Sequence, residues 1–390
     1  MNSPINVVIA IETSCDDTSV AVVTSDGFVR GVLSANQNSA HEVFGGIVPE
    51  IACRNHTFHL LPLVDACLDR AGVKLQELDG VVVTAKPGLI GSLLVGVVTA
   101  KALALSLNKP IIGVNHLEGH LLAPFLKDDL YAPPADFKYP YIALAISGGH
   151  TSLYRIDGLG EYRVLGQTID DAAGEAFDKF GKMVGLGFPG GVRVDRHAQF
   201  GDVNRFSFPR SMLNENHFNF SFSGLKSAAQ RVVDGLSSED KKKLLEDLAV
   251  ADQARKKVGA KGAGLVEEGR PGVLADLCAS YQEAIVDVLM ARVAKSVESE
   301  KLERAVLTGG VSANSRLRLR ALEWAQTSGV ELVVPPIRYC TDNAAMIGCA
   351  GILRMNRGEF SDQTLGAEPR APLGIAPLPD QLPSRLRGKK

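Results

Sequence analysis

Several familiar signals are absent from this sequence, and each absence closes off a class of function. There is no excess of positive charge. Forty-two Lys and Arg stand against 44 Asp and Glu, a net of −2, so no global basic field attracts nucleic acid and only a local basic patch is left open. The six cysteines (Cys15, Cys53, Cys67, Cys278, Cys340, Cys349) form no C-x-x-C pair and no close cluster. That excludes a disulfide framework or a cysteine-based zinc site and fits reduced thiols in the cytoplasm. No uncharged run reaches the about 18 residues of a membrane span, and the N-terminus lacks the basic and apolar segments of a signal peptide. What is present is ordinary for a globular protein. The 390 residues are 45% hydrophobic and 22% charged, enough for two domains or lobes.

Chemistry gathers first in Pro110–His120, which reads PIIGVNHLEGH. Ile111–Val114 is an apolar run fit for a buried strand, and Asn115 is a good helix-capping residue. His116 and His120 then lie one helical turn apart, so both imidazoles point the same way and make two ligands of a metal site that needs a third from elsewhere. The spacing is not that of the zinc proteases, which place Glu directly after the first His; here Glu118 sits in the middle. A helix cap plus a surface histidine is the plainer alternative.

The pattern of apolar runs predicts an internal duplication. Val7–Ile11, Ser19–Val23 and Val29–Ser34 read as a three-stranded meander whose first turn, Glu12–Thr18, is crowded with hydroxyls and carboxylates. A breaker-rich stretch, Asn36–His56, precedes a helix near Thr57–Ala71. Strand Asp79–Thr84 then feeds a glycine-containing turn and a helix to about Leu107. After a Pro-containing linker, Lys127–Tyr139, the same meander restarts at Tyr141–Ile146, Thr151–Ile156 and Tyr162–Gln167. An insertion, Ile169–Pro271, follows. Then come a helix over Val273–Glu298, strand Arg304–Leu307, a Gly-Gly turn with a helix to Gln326, strand Glu331–Val334 and a helix from Asp342.

Both halves thus read as a mixed sheet with helices, which predicts an α/β protein of two similar lobes facing a central cleft. The boundaries are 1–135 for the first lobe, 136–360 for the second with its insertion at 169–271, and 361–390 for a tail. Aligning the halves puts the Glu12–Asp17, Ser147–His150, Gly88–Ser92 and Gly309–Asn314 turns at the same strand ends, opening on one cleft. It also makes Asp342 the natural third ligand for His116 and His120. The competing reading is that Asp342, or Thr341 before it, only caps a helix.

Ten ordered strings carry a resemblance. IETSCDDTSVAVV (11–23), GGIVPEIACRNH (45–56), PGLIGSLLVG (87–96), NHLEGH (115–120), ISGGHTSL (146–153), IDDAAGEAFDK (169–179), FPGG (188–191), FSFSGLKSA (220–228), TGGVSAN (308–314) and CTDNAAMI (340–347) closely resemble the bacterial TsaD family. The duplicated meander is similar to the actin/Hsp70/sugar-kinase (ASKHA) fold.

The resemblance implies a transferase. It would move the threonylcarbamoyl group of threonylcarbamoyl-AMP onto N6 of adenosine 37, in tRNAs reading ANN codons. The products would be t6A and AMP. It implies one Fe2+, with Zn2+ the alternative, held by His116, His120 and Asp342. It places Ile146, Ser147, Gly148, Gly149 and His150 around the adenylate. It brings Asp178, Gly191 and Asn314 to the adenylate or its nucleoside and Asp195 to the ribose. Glu12 or Asp16 would orient the attacking amine or a ligand water. Each residue also has a plainer use: a Gly190-Gly191 turn, an Asp178–Lys182 pair, an Asn314 helix cap. Partners implied are the tRNA anticodon loop, a TsaB-like paralogue and a TsaE-like ATPase, with no membrane.

For RNA contact the insertion is the best candidate. Arg193, Arg196, Arg205, Arg210, Lys226 and Arg231 lie there among Phe200, Phe206, Phe208, Phe218, Phe220 and Phe222; the plainer reading makes the rings core and the cations solvated. His41, His56, His59, His197 and His217 read as surface or packing residues. Two departures from the family pattern stand out. Lys86 replaces a glycine, where it would add a phosphate contact or face solvent, and Val192 replaces a frequent proline. The Ala/Gly-rich run Val250–Gly272 is an extra insertion, and Arg370–Lys390 a flexible tail. A metallopeptidase and a sugar-kinase-like nucleotide scaffold are the rival readings.

Overall fold

A computed structural model describes residues 4–258 and 269–374. Two five-stranded sheets carry it. The first contains β1 (Val7–Glu12), β2 (Thr18–Thr24), β3 (Val29–Ala35), β4 (Gly80–Lys86) and β5 (Ile111–Asn115), in the order β3-β2-β1-β4-β5. The second contains β6 (Tyr141–Ile146), β7 (Thr151–Gly158), β8 (Glu161–Gln167), β9 (Arg304–Thr308) and β10 (Glu331–Val333), in the order β10-β9-β6-β7-β8. Read from the same end, the two orders are identical. In each, the first three strands form an antiparallel meander and the last two run parallel to the first. The duplication legible in the sequence is therefore a duplication of topology, and the architecture is the predicted ASKHA-like one.

The central strands are apolar throughout because both faces are covered. On β1 the side-chain period of two divides the core: Ile9 and Ile11 join one cluster, Val8 and Ala10 another. Helices α1 (Asn38–Glu42), α2 (Pro49–Ala71), α3 (Ile90–Leu107) and α4 (His116–Leu122) belong to the first half. Helix α2 begins earlier than its Thr57 expectation because Pro49 occupies the first turn, where a missing N–H costs nothing.

The second half adds α5 (Ala173–Met183), α6 (Gly190–Ala198), α7 (Ser223–Asp234), α8 (Ser238–Val258), α9 (Val273–Glu300), α10 (Ser315–Ser328), α11 (Ile337–Cys340) and α12 (Ala344–Met355). The first four make up most of the insertion. Part of the 250–272 run, and the tail beyond residue 374, lie outside the described residues.

Two features decide where the site sits. Helix α12 follows the second sheet in sequence but packs on β1, β2 and α4 of the first lobe, which carries the segment before it across the cleft. Residues 361–374, expected as part of a tail that is flexible from Arg370, run back as a strap. Ser361 pairs with Ile111, Leu365 packs into the first lobe's core, and Leu373 joins the second lobe's.

Helix α3 is long and apolar enough to cross a membrane by length and composition. Its Ser92, Leu93, Gly96, Val97, Ala100 and Ala104 are buried in the lobe, and Lys101 Nζ donates to the strap carbonyl of Leu365 at 3.0 Å. One face of the helix is thus packed against the lobe, and its Leu94, Val98 and Leu105 are exposed.

Candidate metal centre and cleft

Helix α4 starts where β5 ends, with the Asn115 side chain accepting from Leu117 N at 2.9 Å. That cap fixes the first turn, and with it both imidazoles. His116 and His120 are buried, with rings perpendicular and centroids 4.8 Å apart. Across the cleft the α12 cap proves to be Asn343, whose side chain accepts from Met346 N at 3.0 Å. Neither Thr341 nor Asp342 performs that task, so the Asp342 carboxylate is free to face the histidines. Its Oδ1 lies 3.3 Å from His116 Nε2 and 3.1 Å from His120 Nε2.

One ligand atom from each of the three residues falls within 4.8 Å of the others. Two imidazole nitrogens and a carboxylate oxygen converging from two lobes form a donor set that fits a divalent transition metal and leaves positions open. The second imidazole nitrogen of His116 is oriented from behind: Nδ1 lies 2.9 Å from Glu12 Oε2 and 3.2 Å from Ser14 Oγ. Such a carboxylate–histidine pair fixes the ring and raises its basicity.

The electrostatics agree. Burial disfavours charge on His116, but the Asp342 and Glu12 carboxylates outweigh it and hold its pKa well above the ordinary value. Burial likewise works against Asp342 and Glu12, and His116 overrides it, keeping both below the carboxylate range. Glu12 is fully engaged, accepting also from Ser14 N at 2.5 Å and Thr84 Oγ1 at 2.6 Å. Glu118 is turned away from the group and bound to Arg354 and Tyr162. Among the described residues no glutamate is left in the place a metallopeptidase base would need.

The centre opens on a cleft of about 1880 Å³. Its walls include Ser14–Asp17, Gly88, His116, Ser147–His150, Asp178, Gly310 and Asp342, so the four aligned turns do meet there. Ile146 is the buried end of β6, behind the turn. At Gly148 and Gly149 an added Cβ would meet nothing within 4 Å, leaving their backbone open to a ligand. Loss of solvation, then His116 and His120, hold His150 below its ordinary pKa. Asp16 and Asp17 are partly buried. Burial raises Asp16, and burial with the Asp16, Asp342 and Glu12 charges pushes Asp17 up to about 8.

Of the remaining candidates Asp178 lines the cleft, whereas Gly191, Asp195 and Asn314 are not among its wall residues. Asp178 Oδ1 accepts from Gly190 N at 2.7 Å and Gly191 N at 3.3 Å; it does not pair with Lys182. Asp195 accepts from Ser315 N and Oγ, beside Asn314, which caps α10 and donates to Gln282 at 2.7 Å.

Two residues went unrecognised in the sequence. His56 is buried and ties down the Glu12–Thr18 turn, with Nδ1 2.7 Å from Thr18 Oγ1 and Nε2 2.9 Å from the Cys15 carbonyl. Asp17 had no signal beyond the acidic turn itself. Lys86 neither meets the cleft nor stands free; it pairs with Glu368 on the strap at 3.4 Å.

Much of the insertion's basic and aromatic content is committed within the protein. Phe208, Phe220 and Phe222 are core, while Arg193, Arg205 and Arg210 are paired with Glu42, Asp276 and Asp287. Packing claims those rings and the carboxylates of neighbouring elements claim those cations, while Phe200, Lys226 and Arg231 are exposed.

Comparison with known proteins agrees with this picture. Residues 29–349 match the family model described as TsaD: tRNA N6-adenosine threonylcarbamoyltransferase. A protein of that name from Bdellovibrio bacteriovorus is 56% identical over 364 residues, 93% of this chain and 97% of its own. One from Anaeromyxobacter dehalogenans is 48% identical over 93% of this chain and 98% of its own. Among solved structures, HypF of T. kodakarensis is similar in fold, with a TM-score of 0.55 at 11% identity over 91% of this chain and 48% of that protein.

Proposed function

The chain belongs to the TsaD family of tRNA N6-adenosine threonylcarbamoyltransferases, which are acyltransferases, and on that premise we propose that its cleft moves a threonylcarbamoyl group from threonylcarbamoyl-AMP to N6 of adenosine 37 in tRNAs reading ANN codons. The observation that carries this reading is the placement of His116, His120 and Asp342 in the same cleft as the open Ser147–His150 turn. In the reaction the adenine amine forms a C–N bond to the carbamoyl carbon, the C–O bond to phosphate breaks, AMP departs and N6 gives up a proton.

His116, His120 and Asp342 would hold one Fe2+ or Zn2+, which when bound supplies a Lewis acid for oxygens of the donor. Ile146–His150, Asp178, Gly191, Asp195 and Asn314 bind and orient the adenylate, and much of the rate comes from that positioning. Glu12 acts as a positioning residue through His116. Asp16 lines the cleft with its pKa raised by burial, which suits a carboxylate that orients the amine and takes its proton.

A TsaB-like paralogue and a TsaE-like ATPase complete the reading. The outer faces of the adjoining α2 and α3 expose Phe58, Leu61, Leu94, Val98 and Leu105, an apolar stripe suited to a paralogue of the same fold. Six free cysteines suit a reducing cytoplasm.

The test supplies threonylcarbamoyl-adenylate, unmodified tRNA and the two partners, then digests the tRNA and seeks threonylcarbamoyl-adenosine by mass spectrometry. Product is expected from the wild type. Product must also disappear together with bound metal in His116→Ala and His120→Ala. No product from the wild type, or full activity in a metal-free variant, would refute the reading.

A further inference from the structure

Phe44 and Lys182 stand on opposite lips of the cleft. Phe44 belongs to residues 43–48, between α1 and α2 on the first lobe, and is 59% exposed; Lys182 is on α5 of the second. The two lips meet at Gly45. Its φ of +66° is one that glycine adopts without strain, and a Cβ there would lie 3.5 Å from Lys182 Nζ. The loop is pinned. Glu42 Oε1 accepts from Arg193 Nη2 at 2.8 Å across the cleft, and Val48 N donates to His41 Nδ1 at 3.3 Å. So Val43 and Phe44 are held outward at the cleft wall, without a hydrophobic partner to cover them.

Lys182 differs from its neighbour Lys179. Asp171 and Glu175 neutralise Lys179 at 2.7 and 3.0 Å, whereas among the described residues no carboxylate lies within salt-bridge distance of Lys182. An open aromatic face beside an unpaired ammonium is the chemistry that grips single-stranded RNA, by base stacking and phosphate contact. In the insertion Phe208, Phe220 and Phe222 are core and Arg193, Arg205 and Arg210 are paired, and the exposed Phe200 is not among the residues that line the cleft. Nor does the small adenylate need it. The groups assigned to the adenylate lie on the Ser147–His150 turn and around Asp178, and a ligand enclosed there does not account for a phenyl ring held out at the mouth.

We propose that Phe44 stacks on an unpaired base of the acceptor RNA, next to the adenosine that is acylated, and that Lys182 contacts the adjoining phosphate. The inference rests on the transferase reading of the cleft and deepens it. It assigns a binding role to both lips and makes the inter-lobe Glu42–Arg193 pair the support that presents Phe44.

The test measures binding of a fluorescent, unmodified anticodon stem-loop to the full chain with its partners, alongside binding of AMP as a donor-side probe. Phe44→Ala and Phe44→Leu should each weaken stem-loop binding about tenfold, and Phe44→Trp should restore it, because a stack needs a ring and not only apolar bulk. Lys182→Ala should flatten the slope of log affinity against log salt by about 0.7. AMP affinity should stay unchanged in all four. Stem-loop affinity within about twofold of wild type in Phe44→Ala would overturn the proposal, as would a parallel loss of AMP binding, or weakened protein-partner binding with RNA binding intact. Wild type that binds the stem-loop through Phe44 yet forms no threonylcarbamoyl-adenosine would instead overturn the transfer reading and leave this one standing.

Discussion

Glu12 stands behind His116: its Oε2 lies 2.9 Å from Nδ1 while the opposite ring nitrogen faces Asp342. The carboxylate ends β1 and the imidazole opens α4 directly after β5, so elements on either side of β4 aim one side chain. Replacing Glu12 by Gln keeps the shape but removes the charge that holds the ring. Metal affinity should fall about 10- to 100-fold, read by competition with a chromophoric chelator. Unchanged affinity would show that the pair is only packing.

Asn343 does for Asp342 what Glu12 does for His116. By capping α12 it leaves the neighbouring carboxylate uncommitted. Asn343→Ala should cost about 1 kcal/mol of stability and let Asp342 compete for the vacant N–H groups, so metal affinity and Tm should fall together. Asn343→Asp, still a capping residue, should restore both. A loss of Tm with metal binding intact would separate the two roles.

The fold and the convergence of His116, His120 and Asp342 were legible because their causes are local or repeated. The alignment of four turns in two pairs follows from apolar periodicity, and the position of Asp342 follows from the repeat. The strap, the Glu42–Arg193 pair and the His56 clasp were not legible. Leu365 meets Gly113 and Glu42 meets Arg193 across long sequence separations, and nothing in the local pattern of either partner announces the other. Pro49 was read as a breaker although at a first helical turn it is an initiator. The insertion misled in the opposite way: arginines among phenylalanines look like an RNA surface until the carboxylates of Arg193, Arg205 and Arg210 are seen.

Asp17 gives a pH dependence with a definite sign. The folded protein keeps its proton up to about 8, against 3.8 for the free side chain. Its contribution is therefore fully favourable below the unfolded value and is lost as pH rises toward about 8. Asp17→Asn should leave the Tm of the metal-free protein nearly unchanged at about pH 4 and raise it progressively up to about pH 8, levelling beyond. Scanning calorimetry across that range checks it. A gain that stays flat with rising pH would mean that Asp17 ionises in the folded protein as it does in the unfolded chain.

His56 clasps the acidic turn with two hydrogen bonds. His56→Ala should cost about 1–3 kcal/mol, since it leaves Thr18 Oγ1 and the Cys15 carbonyl unpartnered in a buried place. The freed turn also carries Ser14 and Asp16 to the cleft, so kcat should drop more than metal content. Hydrogen exchange at residues 13–18 should quicken. Loss of metal in step with kcat would place the damage at the centre itself.

The strap can be tested by a double-mutant cycle at Gly113 and Leu365. A Cβ on residue 113 would come 2.6 Å from Leu365 Cδ1 and 2.9 Å from Ala85 Cβ, so Gly113→Ala must displace one of them. Leu365 is the freer, lying on a strap held by Lys101 at its own carbonyl and by Gly88 N at the Pro369 carbonyl. Overpacking of this kind costs about 1–3 kcal/mol. Because Pro369–Gly374 line the cleft, the displaced strap should also weaken AMP binding. Leu365→Ala alone should destabilise by lost burial. Together the two changes should be less harmful than their sum, because the smaller side chain makes room for the new methyl, with a coupling of about 0.5–3 kcal/mol. Strict additivity in both Tm and AMP affinity would mean that the strap does not shape the cleft wall.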